Sequence, residues 1–233
     1  MNLQTSSTHF SPNSQLQAAL NRLTTERDRR NSRNRLSRYR PYAKQLEFHE
    51  NGLTARERLL MAGNQLGKTY SGAAEMAMHL SGRYPDWWPG RRWDKPIRAW
   101  VGGESSEAIR DSSQTLLVGP PEDEDLWGTG LIPGDCLEDC NRRQGVKDTL
   151  DTVVVKHVSG GNSVLGFKSY DMQRKKWQGA TQDIVWFDEE PGMDIYMEGL
   201  TRTNATGGMV YLTFTPLLGM SEVVRMFLQS GAA

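Results

Sequence analysis

The sequence predicts an α/β fold in which a mostly parallel central sheet is flanked by helices. Leu59–Met61 is a short apolar run that leads into a glycine-bearing loop and then into the helix-forming stretch Ser71–Leu80. Ile184–Phe187 and Met209–Thr215 are two further runs dominated by apolar residues, and polar side chains lie at the end of each. Such continuous runs are typical of strands buried on both faces of a parallel sheet.

The loop after the first predicted strand has the residue types of a phosphate-binding P-loop. Its expected nucleotide-binding residues are Ala62, Gly63, Asn64, Gln65, Leu66, Gly67, Lys68, Thr69 and Tyr70. Glycines let backbone N–H groups approach a phosphate closely, and the N-terminus of the following helix adds partial positive charge. We expect Lys68 to reach the β- and γ-phosphates of ATP and Thr69 to offer its hydroxyl to Mg²⁺. One position departs from the usual pattern, because Ala62 stands where the first glycine is expected.

Adjacent carboxylates follow the second apolar run, at Asp188, Glu189 and Glu190. Side chains at the C-terminal end of a parallel strand lie where α/β sheets bind ligands. Because a P-loop precedes it, we interpret this run as a Walker B strand. Asp188 would then hold Mg²⁺, and Glu189 would orient and deprotonate the attacking water, whereas Glu190 is interpreted as part of a solvated acidic loop. Both motifs together predict a P-loop NTPase of the RecA-like, or ASCE, type.

Three further polar residues are candidates for roles linked to the nucleotide. Thr213 and Thr215 end the third apolar run, where ATPases that drive movement use a hydroxyl to sense the γ-phosphate and couple it to the surface that faces nucleic acid. The alternative interpretation is that threonine simply favours strands. Gln45 precedes the P-loop and resembles the glutamine with which helicase-like ATPases read adenine, because one amide can donate to and accept from the base edge. Alternatively, Gln45 is an ordinary surface residue.

The segment between the two motifs is predicted to add strands and one helix. Residues 97–101 are interpreted as a strand that ends at the following Gly-Gly pair, and a serine at 105 or 106 is expected to cap a helix running to about residue 118. Residues 122–150 are acidic, are punctuated by Gly and Pro, and are expected to form an insertion on the core. Residues 152–170 hold two β-rich runs joined by Ser-Gly-Gly-Asn, which predicts an inserted hairpin.

The composition fits one large domain with an extension. Residues 1–38 are predicted to form a polar, arginine-rich helical extension, and residues 39–233 the P-loop ATPase domain. The chain carries 28 basic and 28 acidic residues, so its net charge does not indicate a nucleic-acid partner. No apolar run approaches the roughly 20 residues of a membrane span, and no membrane association is expected.

The N-terminal extension allows two interpretations. Eight arginines and only two acidic residues fall between residues 22 and 40, as in an arm that binds a polyanion. Leu16, Leu20 and Leu23 recur at helical spacing, which instead favours a solvated helix that caps the core or docks another protein. The sequence leaves both interpretations open.

Four motifs in this order resemble the ATPase domain of the large terminase subunit of tailed bacteriophages. They are Tyr42–Gln45, Ala62–Thr69, Val185–Pro191 and Leu212–Pro216. The Lys-Trp-Gln-Gly stretch before the Walker B strand makes the resemblance more specific to this family. The resemblance runs from about Arg40 to the end of the chain. The resemblance implies an ATP-driven motor that moves double-stranded DNA into a procapsid. It places the ATPase roles on the motif residues named above and the coupling role on residues 213–215.

The resemblance also implies partners and a location. Double-stranded DNA, the portal protein and the small terminase subunit are the expected partners, and the chain is expected to form a homo-oligomeric ring. ATP and Mg²⁺ are the expected substrate and cofactor. The expected location is the cytoplasm of the host cell, for a virus-encoded protein that is not part of the mature virion. The C-terminal nuclease domain of the family has no counterpart in the sequence, so we expect this chain to hydrolyse ATP and not to cut DNA.

One departure from the family concerns an arginine that completes the active site of a neighbouring subunit. Many members carry it shortly before the Walker B strand, where this sequence has Gln178 and Gly179. Arg174 is the nearest candidate for this catalytic role, and Arg202 is the next.

Two other functions remain open from the sequence. One is a helicase-like P-loop ATPase that acts on another nucleic acid. The other is a structural module with a vestigial nucleotide site, against which the presence of Lys68, Thr69, Asp188 and Glu189 argues.

Overall fold

The structure, a computed structural model, describes residues 12–63, 65–172, 174–216, 219 and 221–230. The helices are α1 (Pro12–Ser32), α2 (Ala43–Asn51), α3 (Lys68–Ser81), α4 (Ser106–Ile109), α5 (Thr115–Leu117), α6 (Met193–Asn204) and α7 (Glu222–Ser230). The strands are β1 (Glu57–Met61), β2 (Arg98–Gly103), β3 (Leu137–Arg142), β4 (Leu150–Lys156), β5 (Asn162–Ser169), β6 (Ile184–Asp188) and β7 (Met209–Phe214). None of the helices in these ranges is long and apolar enough to cross a membrane.

In the described part of the chain, seven strands form one sheet in the order β1-β7-β6-β2-β5-β4-β3. The first five strands of that order run parallel, and β4 and β3 are added antiparallel at one end. β7 lies between β1, which precedes the predicted P-loop, and β6, which ends at Asp188. An added strand in this place characterises the ASCE type, so the predicted fold class is confirmed.

Helix α3 is a buried helix that begins directly at the predicted P-loop. Gly67 before it and Gly82 after it both have left-handed backbones, with φ of 72° and 70°, which glycine adopts without steric cost. A side chain at Gly72 would meet the ring of Trp186, because a Cβ there would lie 2.8 Å from it. This close approach to the sheet fixes the N-terminus of α3 relative to the strand ends.

Hydrophobic clusters cover both faces of the sheet. Ile184 and Trp186 belong to the cluster that packs against α3, whereas Val185 and Phe187 belong to the cluster formed with α6 and α7. Successive residues of a strand point to opposite faces. β6 is therefore buried on both faces, as its continuous apolar run predicts.

The N-terminal segment packs differently along its length. Almost all described side chains of α1 are exposed, whereas Leu36 and Tyr39 are 5% and 3% exposed and belong to the core. Arg33 donates to two backbone carbonyls of the segment 125–127. The packed body therefore begins near Arg33, and a domain boundary at residue 38 stays a prediction.

Strand β2 includes the Gly-Gly pair that was expected to end it. A Cβ at Gly102 would lie 2.5 Å from the ring of Trp177, and one at Gly103 would lie 2.7 Å from Ile109. The strand ends with this pair, as expected, but both glycines are still part of the strand. These glycines permit close packing on the two faces of the strand rather than a turn.

The segment after β2 differs from its prediction. The helix capped by Ser105 is present, but a π-helical turn over Arg110–Gln114 interrupts it between α4 and α5. The hairpin β4–β5 is present and is part of the central sheet, because β5 pairs directly with β2. Within residues 122–150, β3 extends that sheet beyond β4.

Candidate active site

The predicted P-loop and the ends of β6 and β7 meet at one edge of the sheet, because parallel strands end on the same side. Thr69, in the first turn of α3, donates a hydrogen bond of 2.9 Å from Oγ1 to Oδ1 of Asp188 at the end of β6. Thr213 of β7 donates to the same carboxylate oxygen at 3.0 Å. The structure therefore brings both predicted nucleotide motifs and one predicted coupling residue into a single site.

In the described part of the P-loop, two residues have left-handed backbones, Gln65 with φ of 61° and Gly67 with φ of 72°. A Cβ at Gly67 would also lie 3.1 Å from the amide nitrogen of Gln45, so both the backbone conformation and the close contact favour glycine there. A Cβ at Gly63 would only contact Leu66, at an ordinary 3.7 Å. For Gly63 the reason for glycine stays the predicted close approach to a phosphate.

Lys68 lies within the curve of the loop. Its side chain is buried, and Nζ donates to the carbonyl oxygen of Gly63 at 2.7 Å. Burial raises the pKa of the Glu189 carboxyl, and the Lys68 ammonium acts electrostatically against that rise. Lys68 therefore contacts the loop and acts electrostatically on the candidate general base, and its role at the phosphates stays a prediction.

The other predicted nucleotide-binding residues take different positions. Ala62 is half-buried and Leu66 is exposed at the start and tip of the loop. The ring of Tyr70 packs 5.8 Å from that of Tyr39, so it contacts the segment that precedes α2. Asn64 lies outside the described residues. Contact of these residues with a nucleotide stays a prediction.

Gln45 is buried, and both ends of its amide are engaged. Oε1 accepts from the backbone N–H of Tyr42, and Nε2 donates to the carbonyl oxygens of Leu66 and Gly67 at 3.4 and 3.1 Å. The side chain thus ties the N-terminus of α2 to the P-loop. Pairing with adenine would require the amide to exchange these partners, and the adenine-reading role stays a prediction.

Asp188 is a buried carboxylate that three hydroxyl groups contact. Besides Thr69 and Thr213 on Oδ1, Ser112 donates from Oγ to Oδ2 at 3.2 Å. Burial raises the pKa of the Asp188 carboxyl to about 6, and the hydrogen bonds from Thr69 and Thr213 oppose that rise. The carboxyl is therefore largely ionised at neutral pH and can serve as a ligand for a cation.

Thr69 and Asp188 supply the kind of oxygen ligands that Mg²⁺ takes. Mg²⁺ is usually bound through one or two carboxylates together with substrate phosphates. Because the hydroxyl and the carboxylate touch each other, both can face one cation. Among the described residues, no cluster of three or more His, Cys, Asp or Glu side chains is placed to hold a metal. The donor set fits Mg²⁺ bound jointly with a nucleotide.

Glu189 has a left-handed backbone, with φ of 76°, which is unfavourable for a residue with a side chain and must be held by its surroundings. The backbone N–H of Glu189 donates to the carbonyl oxygen of Thr213 at 3.0 Å, and the hydroxyl of Tyr170 donates to the carbonyl oxygen of Glu189 at 2.8 Å. Burial raises the pKa of the Glu189 carboxyl, nearby Glu104 adds to the rise, and Lys68 opposes it. A carboxylate with a raised pKa is suited to accept a proton.

The two predicted coupling residues contact the two acidic residues. Thr213 is fully buried, and its Oγ1 accepts a hydrogen bond of 2.7 Å from the indole N–H of Trp186 while it donates to Asp188. The backbone N–H of Thr215 donates to the carboxylate of Glu189. Their coupling role stays a prediction.

The two candidate arginines lie on different elements. Arg174 begins a 3-10 turn, Arg174–Trp177, and its side chain lies outside the described part of the structure. Arg202 on α6 donates to the carbonyl of Gly179 at 2.8 Å and forms an ion pair with Glu198 at 2.9 Å. In this structure Arg202 ties α6 to the loop before β6. A role for either arginine in a neighbouring site stays a prediction.

Sequence reasoning missed Ser112 and Tyr170, which contact Asp188 and Glu189. Ser112 lies inside a predicted helix, and no local pattern distinguishes it. Tyr170 follows β5, whose C-terminal end lies beside that of β2. From the sequence, β5 is interpreted as part of an inserted hairpin, and such a strand is not expected to end at the same sheet edge as β6.

A groove of about 870 Å³ runs along β1 on the α2 side of the P-loop. Tyr42, Gln45 and Lys68 are among the residues that line it, whereas Asp188 and Glu189 are not. The groove therefore offers space next to the loop but away from the two carboxylates.

Comparisons with known proteins place the sequence among terminases. A profile of the family described as "Terminase large subunit, T4likevirus-type, N-terminal" matches residues 59–231. The large terminase subunit of Salmonella phage P22 is 43% identical over 212 residues, which cover 84% of this chain and 42% of that protein. That of Enterobacteria phage LP7 is 30% identical over 138 residues, which cover 58% of this chain and 28% of that protein. The chain thus spans less than half the length of these curated relatives.

One solved structure that aligns with the chain is described as the large terminase from a thermophilic bacteriophage in complex with ADP. The alignment has a TM-score of 0.48 and 13% sequence identity, and covers 81% of this chain and 50% of that chain.

Proposed function

The chain belongs to the terminase large subunit family, and from that premise we propose that it is the ATP-hydrolysing motor domain of a viral DNA-packaging terminase. The observation that carries the proposal is the hydrogen bond between Thr69 and Asp188. This contact joins the end of the P-loop to the acidic end of a buried strand, which is the arrangement that holds the phosphates and the metal in P-loop ATPases.

The residues of the site supply the parts that hydrolysis of ATP needs. The loop would hold the phosphates, and the Lys68 ammonium would neutralise their charge. Glu189 would accept a proton from water while the water oxygen bonds to the γ-phosphorus and the bond to the bridging oxygen of ADP breaks. When bound by Thr69 and Asp188, Mg²⁺ would stabilise the charge that develops on the phosphate oxygens.

Thr213 is the residue through which the site would influence the rest of the domain. Its hydroxyl links Asp188 to Trp186, and Trp186 packs against α3 at Gly72. A change at the carboxylate would therefore reach both the sheet and the helix that follows the P-loop. We propose that residues 213–215 couple the state of the nucleotide to movement of DNA.

The family suggests the assembly in which this motor acts. We propose that the chain forms a homo-oligomeric ring that moves double-stranded DNA into a procapsid, together with a portal protein and a small terminase subunit. Its place would be the cytoplasm of an infected host cell. The relatives are about twice as long as this chain or longer, so these activities are proposed for the part that the chain represents.

The proposal is tested by the rate of ATP hydrolysis by this chain. The rate is measured without DNA, with double-stranded DNA, and with double-stranded DNA plus portal protein and small terminase subunit. A packaging motor predicts the highest rate in the third condition. Stimulation by single-stranded DNA or RNA, with no effect of the two packaging proteins, would favour the helicase-like alternative. No hydrolysis in any condition would contradict both.

A further inference from the structure

We propose that Ser112 is a positioning residue of this site: its hydroxyl orients the Asp188 carboxylate for Mg²⁺. The inference rests on the proposed ATPase function and adds a residue outside both nucleotide motifs. Ser112 is separated from Asp188 by 76 residues in the chain.

The hydrogen bonds on Asp188 divide unequally between its two oxygens. Thr69 and Thr213 both donate to Oδ1, at 2.9 and 3.0 Å. In the described part of the chain, the side-chain bond to Oδ2 comes from Ser112, at 3.2 Å. The terminal torsion of an aspartate is soft, so donors on one oxygen leave the carboxylate plane free to turn. A donor on the second oxygen fixes that plane.

A π-helical turn delivers Ser112 to this place. The turn covers Arg110–Gln114 between α4 and α5. Such turns are rare, are found as single turns inside α-helices, and occur frequently at functional sites. The extra residue in the turn changes which side chains of the helix face the sheet edge. The π turn, which no sequence pattern marks, thus brings the hydroxyl of Ser112 to Asp188.

Contacts on the other side hold the π turn in position. Gln114 donates from Nε2 to the carbonyl of Asp148 and accepts at Oε1 from the N–H of Leu150, both at 2.9 Å. Arg110 donates to the carbonyl of Lys147 at 3.2 Å. The turn is therefore anchored to the start of β4 while Ser112 contacts Asp188.

Ser113 provides a matched control on the same turn. Its side chain is fully buried, and its hydroxyl donates to the backbone carbonyl of Ile109 at 3.5 Å. Removing this hydroxyl changes the same helical turn without removing a bond to Asp188. If the hydroxyls of the turn serve only its structure, Ser112→Ala and Ser113→Ala should change Mg²⁺-dependent nucleotide binding alike. If Ser112 positions Asp188, only Ser112→Ala should change it.

The test compares the binding of a fluorescent ADP analogue in the presence of EDTA and over a Mg²⁺ titration. In Ser112→Ala, the Mg²⁺ concentration needed for half of the Mg²⁺-dependent binding is expected to rise roughly tenfold. A loss of metal affinity of about this size is usual when a residue that orients a metal ligand is removed. Binding in EDTA is expected to stay as in the wild type. Ser113→Ala should match the wild type in both conditions, and Ser112→Thr should restore the Mg²⁺ dependence because it keeps the hydroxyl.

Wild-type Mg²⁺ dependence in Ser112→Ala would overturn the inference. Equal loss of binding in EDTA and in Mg²⁺ would also overturn it, since the residue would then support the loop and not the metal. Circular dichroism checks folding, and Ser112→Cys, which keeps the volume but donates weakly, replaces the alanine variant if that fails to fold. If the wild type binds the analogue with no Mg²⁺ effect at all, this inference fails, whereas the proposed ATPase function is decided separately by the hydrolysis measurement.

Discussion

The hydroxyl of Thr69 donates a hydrogen bond of 2.9 Å to the carboxylate of Asp188, although 119 residues separate them in the chain. The contact requires that α3 start at the same sheet edge at which β6 ends. It depends on the close packing of Gly72 against Trp186, which sets the position of α3 on the sheet. Two motifs that are far apart in sequence therefore form one site.

Glu189→Gln is expected to keep nucleotide binding and to lose about two orders of magnitude or more in the rate of ATP hydrolysis. The amide has nearly the same shape but cannot accept the proton of the attacking water. Burial and Glu104 already raise the pKa of the Glu189 carboxyl, as a general base requires. The measurement is steady-state ATPase together with binding of an ADP analogue.

Glu190→Gln is the matched control, because Glu190 is the next residue and is half-buried as Glu189 is. It should retain the wild-type rate. If instead Glu189→Gln keeps the rate and Glu190→Gln loses it, the base is Glu190.

Thr213→Val is expected to lower the free energy of unfolding by about 1–3 kcal/mol, the usual effect of leaving a buried polar group unpaired. Valine has a similar shape but no hydroxyl, so the indole N–H of Trp186 loses its acceptor and Asp188 loses a donor. Thr213→Ser keeps the hydroxyl and should lose much less. Urea denaturation of the three proteins measures the effect, and equal stability of the valine variant and the wild type would show that the bonds contribute nothing.

His79 is expected to make stability fall as the pH drops from 7.5 to 6. Burial lowers the pKa of its imidazole, and the hydrogen bond to Glu75 opposes that shift. The unfolded chain therefore binds more protons below about pH 6.5, so stability is present above that pH and is lost as the pH falls toward the folded pKa. The other polar groups around His79 are Tyr84, whose hydroxyl contacts its ring, and Arg58 and His49, which both contact Glu75.

The stability of His79→Gln relative to the wild type isolates this contribution. Over the same pH range the wild type should lose stability relative to the variant, by at most about 1.4 kcal/mol per pH unit. The lower end of this range reaches the pH near which Asp188 titrates, because the folded pKa of its carboxyl is raised to about 6. Asp188 acts in the opposite direction to His79, but it is present in both proteins and its contribution cancels in the comparison. A pH-independent difference between the two proteins would show that His79 does not titrate on unfolding.

Deletion of residues 1–32 is expected to leave duplex DNA binding and its salt dependence unchanged. Arg29 and Arg30 of α1 already form ion pairs with Glu26, which leaves less positive charge for phosphates. The deletion ends before Arg33 because that side chain contacts the folded body. Binding to duplex DNA over a salt series measures the effect.

The deletion should instead remove association with the portal protein or the small terminase subunit, measured by co-purification. Leu16, Leu20 and Leu23 are 60%, 49% and 68% exposed on α1 and would form the docking surface. If the deletion instead weakens DNA binding, the interpretation of the extension as a DNA-binding arm is favoured. The slope of log K against log salt should then become shallower by up to about 0.9 for each arginine that neutralises a phosphate.

Local patterns predict the parts of the fold that a single stretch of sequence determines. β6 and β7 are continuous apolar runs because both of their faces are buried, and α3 follows a loop with a recognisable glycine. β3 is an edge strand with mostly exposed or half-exposed polar residues, Leu137–Arg142, and therefore lacks the apolar pattern that marks the others.

Contacts between distant segments are what the sequence does not reveal. Ser112 reaches Asp188 only because a π turn interrupts its helix, and the amide of Gln45 contacts the P-loop only because α2 packs beside it. Polar residues of this kind look like surface residues until the fold places them.

The most direct test of the nucleotide site compares the wild type with Lys68→Ala in ATP hydrolysis and in binding of a fluorescent ADP analogue. The ammonium lies in the loop, bonded to Gly63, and electrostatic stabilisation of the phosphates supplies most of the catalysis of phosphoryl transfer. We predict that the wild type hydrolyses ATP and that Lys68→Ala, while still folded by circular dichroism, has no measurable hydrolysis and binds the analogue more weakly. Hydrolysis by Lys68→Ala at the wild-type rate would contradict the assignment of this loop as the phosphate-binding site.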